Sequence, residues 1–172
     1  MVGGLAGFHN LKNIKKEDKE REDKKMKYQN RQEFEKADAF GVGAPNDAYA
    51  QYFAGNSFLN ALTDPKECPV FLANVTFEPG CRNNWHIHHA DKGGGQILVC
   101  TAGQGVYQEW GKEAQILNPG DVVYIKPGVK HYHGAVSDSW FSHIAVECPG
   151  ESCSNEWCEP VTDEQYQSAL ES

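Results

Sequence analysis

The sequence predicts an all-β fold, an antiparallel sandwich or barrel with a short helical segment before it and a short helix after it. Three observations carry this. From Cys68 onward, runs of about four to eight residues rich in β-branched and aromatic side chains recur at close spacing. Gly and Pro turns separate them, at Pro79-Gly80, Ala102-Gly103, Trp110-Gly111-Lys112, Asn118-Pro119-Gly120-Asp121 and Pro127-Gly128. Nothing between the runs is long enough for the helical crossover that parallel strands need.

Taken in order, residues 1–28 form a leader of mixed charge with almost no apolar periodicity, so it buries no face. Met26 near its end is a second candidate start. Residues 29–66 read as an N-terminal extension. In it Ala44-Pro45-Asn46-Asp47 starts a short helix over Ala48–Phe53, and Gly55-Asn56 stops it. The aromatics Tyr49, Tyr52, Phe53 and Phe58 are expected to pack on the outside of the main domain or on a partner subunit. The barrel spans residues 67–150, with strands over Val70–Phe77, Gln96–Thr101, Gly105–Trp110, Ala114–Leu117, Val122–Ile125 and Phe141–Glu147. Trp85, Tyr107, Tyr124, Tyr132 and Trp140 are expected in its core, with Cys81 and Cys100 as small hydrophobes. Residues 151–172 form a tail and helix opened by Thr162 and Gln165, a capping box in which each satisfies the other's free backbone N–H.

Composition narrows the function. A chain of 172 residues with 40% hydrophobic content suits one domain with a real core. The formal charge is −8 overall, and the leader is basic, so residues 31–172 carry −11. An acidic body without a helix-turn-helix or basic reading helix speaks against nucleic acid and anionic membranes as partners. No apolar run approaches the ~20 residues that span a bilayer, and Met1–His9 is Gly-rich with its charge following rather than preceding it. The expected location is cytoplasmic. Cys68, Cys81, Cys100, Cys148, Cys153 and Cys158 then read as reduced thiols, and their spacing matches no zinc knuckle.

The chemistry concentrates between Gly80 and Gly103. In an extended strand alternate side chains share a face, so His86 and His88 look the same way and can address one ion. Gln96 follows a Gly-rich turn that can fold its amide oxygen back to the same ion. His131-Tyr132-His133 repeats the alternation 45 residues later, and together these make a four-ligand pocket of His86, His88, Gln96 and His131. His133 faces the same cavity and is a candidate base. Phe141, His143 and Ala145 share a face of their strand, which makes His143 a second candidate. His9 and His89 read as ordinary surface or core residues. Three imidazoles and a neutral amide leave a divalent ion its full +2 charge, and the donor set suits Mn, Fe, Zn, Ni or Co.

These residues resemble the two motifs of the cupin superfamily. Gly80, His86, His88, Gln96 and Gly103 follow the first motif. Pro119-Gly120-Asp121, Gly128 and His131 follow the second. The chain departs from them in three places: Gln96 stands for the usual Glu, separated from His88 by seven residues; Lys126 stands for a Pro; Ala135 stands for an Asn. The resemblance implies a jelly-roll barrel. Gln96, His133, His143 and the ending Val161–Tyr166 further resemble small bacterial manganese-type cupins known as hydroxynitrile lyases, and cupins grouped with carboxymuconolactone decarboxylases. That likeness implies Mn or Fe on His86, His88, Gln96 and His131, with His133 and His143 carrying protons. The expected function is lyase-type cleavage of a C–C or C–O bond in a small hydroxy or carbonyl compound. A metal-dependent dioxygenase and a non-catalytic binder of small molecules or metal are the alternatives. Exposed sheet edges, which the Tyr49–Phe58 segment of a neighbour could cover, add the expectation of a homodimer.

Overall fold

A computed structural model describes residues 26–171. The expected charged leader falls on residues 1–28, so all but its last three residues, His9 included, lie outside the described residues. The elements in chain order are α1 (Arg31–Ala37), β1 (Ala44–Pro45), a 3-10 helix (Asp47–Tyr52), β2 (Phe53–Ala54), β3 (Ser57–Ala61), β4 (Phe71–Phe77), β5 (Arg82–Asn83) and β6 (His86–His89). There follow β7 (Lys92–Gly93), β8 (Gln96–Gly103), β9 (Gly105–Glu109), β10 (Gln115–Leu117), β11 (Val122–Ile125), β12 (Lys130–Ala135) and β13 (Phe141–Glu147). The chain closes with β14 (Gly150–Glu151), β15 (Ser154–Trp157) and α2 (Asp163–Glu171).

Two antiparallel sheets face each other. One runs β1-β3-β4-β13-β8-β11, and the other β10-β9-β12-β5-β2, with β6 joined to β12 and β15. Phe77, Leu98, Leu117, Ile125 and Phe141 fill the space between them, which is the interior a β-sandwich needs to bury one face of each sheet. The all-β antiparallel expectation holds, and the strand over Val122–Ile125 has the expected limits. Gly103 joins β8 to β9 with φ +73°, and a Cβ there would collide with the Trp140 carbonyl. Only glycine serves at that corner.

The flanking segments contribute more than the sequence pattern indicated. β1, β2 and β3 come from residues 44–61 and β15 from residues 154–157, so the sheets extend past the 67–150 span on both sides. α1 was not anticipated. Asn30 caps it by accepting from the Gln32 N–H, and Phe34 is sealed against Trp140 at 5.6 Å between ring centres. The short helix near Ala48–Phe53 forms as a 3-10 turn. Its aromatics cover their own barrel: Tyr52 stacks on Trp157 at 4.5 Å, and Phe58 is buried beside Trp140. Tyr124 is not in the core. Val122 and Tyr124 point outward from the edge strand β11, while Val123 and Ile125 point in.

At the C-terminus the capping box forms as expected. Gln165 Oε1 accepts from the Thr162 N–H at 3.0 Å, and Thr162 Oγ1 accepts from the Gln165 N–H at 3.1 Å. The α2 helix then docks through Tyr166, whose hydroxyl donates to the Ala135 carbonyl at 2.7 Å. Among the described residues no helix is long and apolar enough to cross a membrane, and the six cysteines are free thiols.

Candidate metal centre

The site is built where β6 lies beside β12 and where β8 lies beside β13. His86 pairs directly with His131 across the first junction. Gln96 pairs directly with Glu147 across the second. Strand alternation sends His86 and His88 inward while His89 points out, where its Nε2 lies 2.7 Å from Glu156. The same alternation buries His131 and His133 on β12 and His143 on β13. The expected site residues are thus all brought to one end of the barrel interior.

Ring centres of His86 and His131 are 4.1 Å apart, those of His86 and His88 5.3 Å, and those of His88 and His131 5.5 Å. Among the described residues one group of three potential donors is especially close. It is His86, His131 and His133, whose ring nitrogens lie within 4.8 Å of one another. This differs from the expected set, because His133 stands where His88 was expected. Hydrogen bonding decides which nitrogens have a lone pair to give. His86 Nδ1 lies 3.0 Å from the Asn84 carbonyl and His131 Nδ1 lies 2.9 Å from the Val129 carbonyl. A carbonyl only accepts, so each Nδ1 carries the proton and each Nε2 keeps its lone pair. This is the arrangement that fixes the tautomer of a ligating histidine.

His133 is engaged differently. Asn83 Oδ1 accepts from the His133 backbone N–H at 3.0 Å, which turns the amide nitrogen toward the ring, 3.1 Å from Nε2. The Nε2 lone pair is therefore occupied, and Nδ1–H faces His143 Nε2 at 3.3 Å. His133 and His143 form a hydrogen-bonded pair and not a second pair of open donors.

The buried polar atoms left without an aligned hydrogen bond include both ring nitrogens of His88, Gln96 Oε1 and His131 Nε2. Orphaned buried acceptors of this kind are rare in proteins. His88 and His131 lie beside His86, and Gln96 lines the same cavity, so these residues offer the kind of donor set that a divalent transition ion takes up. Charge agrees. Burial holds His86 well below the ordinary histidine value, with His131 and His88 adding to the effect. Burial lowers His131 and His143 to about 4, and it lowers His133 strongly, helped by His143. All four rings are neutral near pH 7.

A cavity of about 300 Å³ opens onto this cluster. His86, His88, Gln96, His133, His143 and Glu147 line its polar part, while Phe53, Leu59, Phe71, Ala73, Val75 and Ala145 line the apolar part. His131 is fully buried and does not line it.

With this geometry in hand, the likeness to known proteins is specific. A family model described as the cupin domain matches residues 73–146. The (R)-mandelonitrile lyase of Granulicella tundricola is 39% identical over 127 residues, which cover 73% of this chain and 94% of that protein. The chain belongs to the cupin superfamily. A cupin-like protein of Thermotoga maritima, known from its crystal structure, is 39% identical, with a TM-score of 0.68 over 77% of this cupin and 96% of that chain. A cupin 2 conserved barrel protein of Rhodopseudomonas palustris shares the fold at 15% identity and a TM-score of 0.55, over 75% of this chain and 83% of the other.

Several residues of this cupin's site were not among those expected. Tyr49 and Phe53 line the cavity and do not merely pad the exterior. Trp157 stacks on His86 at 4.8 Å, delivered by β15, whose polar sequence Ser154-Asn155-Glu156 carries no strand signal. Asn83 holds His133. Glu147 accepts from Gln96 Nε2 at 2.7 Å and lies 3.3 Å from His88 Nδ1. Burial pushes its carboxyl up, but the His88 and Gln96 contacts outweigh this and hold it below the usual carboxylate range. A signal for Glu147 existed: the inward alternation of Phe141, His143 and Ala145 continues to it.

Proposed function

We propose that this cupin is a metal-dependent lyase that cleaves a carbon–carbon bond beside a hydroxyl group in a small, partly apolar substrate. The observation that carries the reading is the junction, at one cavity, of orphaned donors on His88 and Gln96 with the neutral His133–His143 pair, with the orphaned His131 Nε2 buried beside His86 just behind the lining. His86, His88, Gln96 and His131 would hold the ion, with Mn or Fe as the first candidates. When bound, such an ion acts as a Lewis acid that stabilises negative charge developing on a substrate oxygen.

The chain's own residues supply the rest. The apolar lining from Phe53, Leu59, Phe71 and Val75 receives the substrate's hydrocarbon part and excludes water from it. The hydroxyl replaces the Asn83 amide at His133 Nε2, which takes its proton. The imidazolium formed there stays hydrogen-bonded through Nδ1–H to His143 Nε2. As the carbonyl forms, the C–C bond breaks and its electron pair departs with the leaving carbon. That carbon collects the proton from His133, so the reaction is redox-neutral and needs no oxidant. The name of the Granulicella relative makes α-hydroxynitriles the first class to test, with cyanide as a leaving group that carries the electron pair well.

The test is turnover of a panel of α-hydroxynitriles and β-hydroxy acids in an anaerobic chamber, before and after removal and return of Mn(II). The reading expects aldehyde release without oxygen, loss of activity on chelation and recovery on reloading. Activity that requires oxygen would contradict it in favour of a dioxygenase. Bound metal without turnover on any member of the panel would contradict it in favour of a binding protein.

A further inference from the structure

We infer that Glu147 is a positioning residue for the metal centre and supplies, one shell out, the negative charge that Gln96 does not. The inference rests on the metal-binding reading above and adds a residue to it. In the cupin motif the position of Gln96 usually holds a carboxylate. Here the amide is neutral, and a carboxylate sits on the paired strand directly opposite, in the closest cross-strand position available.

Each carboxylate oxygen of Glu147 engages a different proposed ligand. Oε1 accepts from Gln96 Nε2 at 2.7 Å, which settles the orientation of the amide and leaves its oxygen buried, unpartnered and free for an ion. Oε2 lies 3.3 Å from His88 Nδ1, within ion-pair distance but not aligned as a hydrogen bond; a small rotation of the carboxylate would draw the proton to that nitrogen and leave the Nε2 lone pair open. His86 and His131 obtain the same service from backbone carbonyls. Glu147 is thus the side-chain counterpart, for His88 and Gln96 together, of what the backbone does for the other two ligands. It also differs in bringing a full charge. Ligating groups oriented in this way typically lose about 10–100-fold in metal affinity when the orienting partner is removed.

The experiment uses the full chain, stripped of metal, and reads Mn(II) affinity by calorimetry and the electron paramagnetic resonance spectrum of the bound ion. Glu147→Gln keeps the shape and removes the charge; Glu147→Ala removes both. The expected result is about tenfold weaker Mn(II) binding in Glu147→Gln and up to about a hundredfold in Glu147→Ala. Both should show an altered Mn(II) spectrum and a melting temperature of the metal-free protein close to the parent's. Parent-like affinity in Glu147→Gln would overturn the role of Glu147 while leaving the metal reading intact. Failure of the parent itself to bind Mn(II), Fe(II) or Zn(II) would overturn both.

Discussion

Two pairs of histidines stand within a few ångströms of each other and are equally buried, yet they are prepared for different tasks. His86 and His131 stand on the paired strands β6 and β12, His133 and His143 across the two sheets on β12 and β13. His86 and His131 each commit Nδ1 to a carbonyl two residues earlier, just before their own strand begins, and keep Nε2 uncommitted. His133 and His143 spend nitrogens on one another, and Asn83 occupies the remaining lone pair of His133. Burial alone does not distinguish the pairs, since it lowers the pKa of all four. What separates a ligand from a proton carrier here is the hydrogen-bond partner. A carbonyl fixes a tautomer and leaves a lone pair, whereas a second imidazole makes a route for a proton.

The contrast breaks most visibly by removing one member of each pair. His86→Ala and His131→Ala should lose the bound ion, seen by elemental analysis, and activity should fall to background. His133→Ala and His143→Ala should keep the ion while kcat falls by about 10²–10⁴-fold, the usual contribution of a positioned acid–base group. Equal metal loss in both sets would erase the distinction. A smaller effect follows from Asn83→Ala, which frees His133 Nε2. It should cost about 1–3 kcal/mol of stability, because both Asn83 hydrogen bonds are lost and the buried His133 backbone N–H is left unpaired, read by denaturant unfolding, and leave metal content unchanged.

Acid should act on both pairs alike in the metal-free protein. The fold holds His131 and His143 neutral down to about 4, whereas the unfolded chain takes up those protons near 6.5. Between these values the unfolded state binds more protons, so stability falls as pH drops through that window and is fully present above it. Melting temperatures measured from pH 7 to 4 should decline, and less steeply in His143→Gln. The last effect concerns stability alone and belongs to Trp157→Ala. Loss of its stacking on His86 and Tyr52 should cost about 0.5–1.5 kcal/mol for each of the two ring contacts beyond their area, visible as a fall in melting temperature.

The strands that carry the histidines were legible because their side chains alternate at period 2 and their turns are marked by Gly and Pro. Residues such as Asn83 and Glu147 were harder to find. Each acts through a partner distant in sequence, His133 for Asn83 and Gln96 and His88 for Glu147, so its role appears only once the strands are paired. β15 was illegible for a different reason. Ser154, Asn155 and Glu156 are polar and exposed, and the strand exists because its backbone pairs with β6, not because it buries a face. The short helix near Tyr49 was expected, but its part in lining the cavity depends on Tyr49 packing against Trp157, which also meets Phe53. α1, by contrast, is only seven residues long and is held by one buried ring, Phe34, a signal too small for periodicity to detect.

The central claim is that His86, His88, Gln96 and His131 share one divalent ion and that His133 does not. Its most direct test is to load the metal-free protein with Mn(II) and count ions per chain in the parent, in His131→Ala and in His133→Ala. The account predicts about one ion, none and about one, with nitrogen hyperfine coupling in the spectrum of the parent. Retention of the ion by His131→Ala, or its loss from His133→Ala, would contradict it.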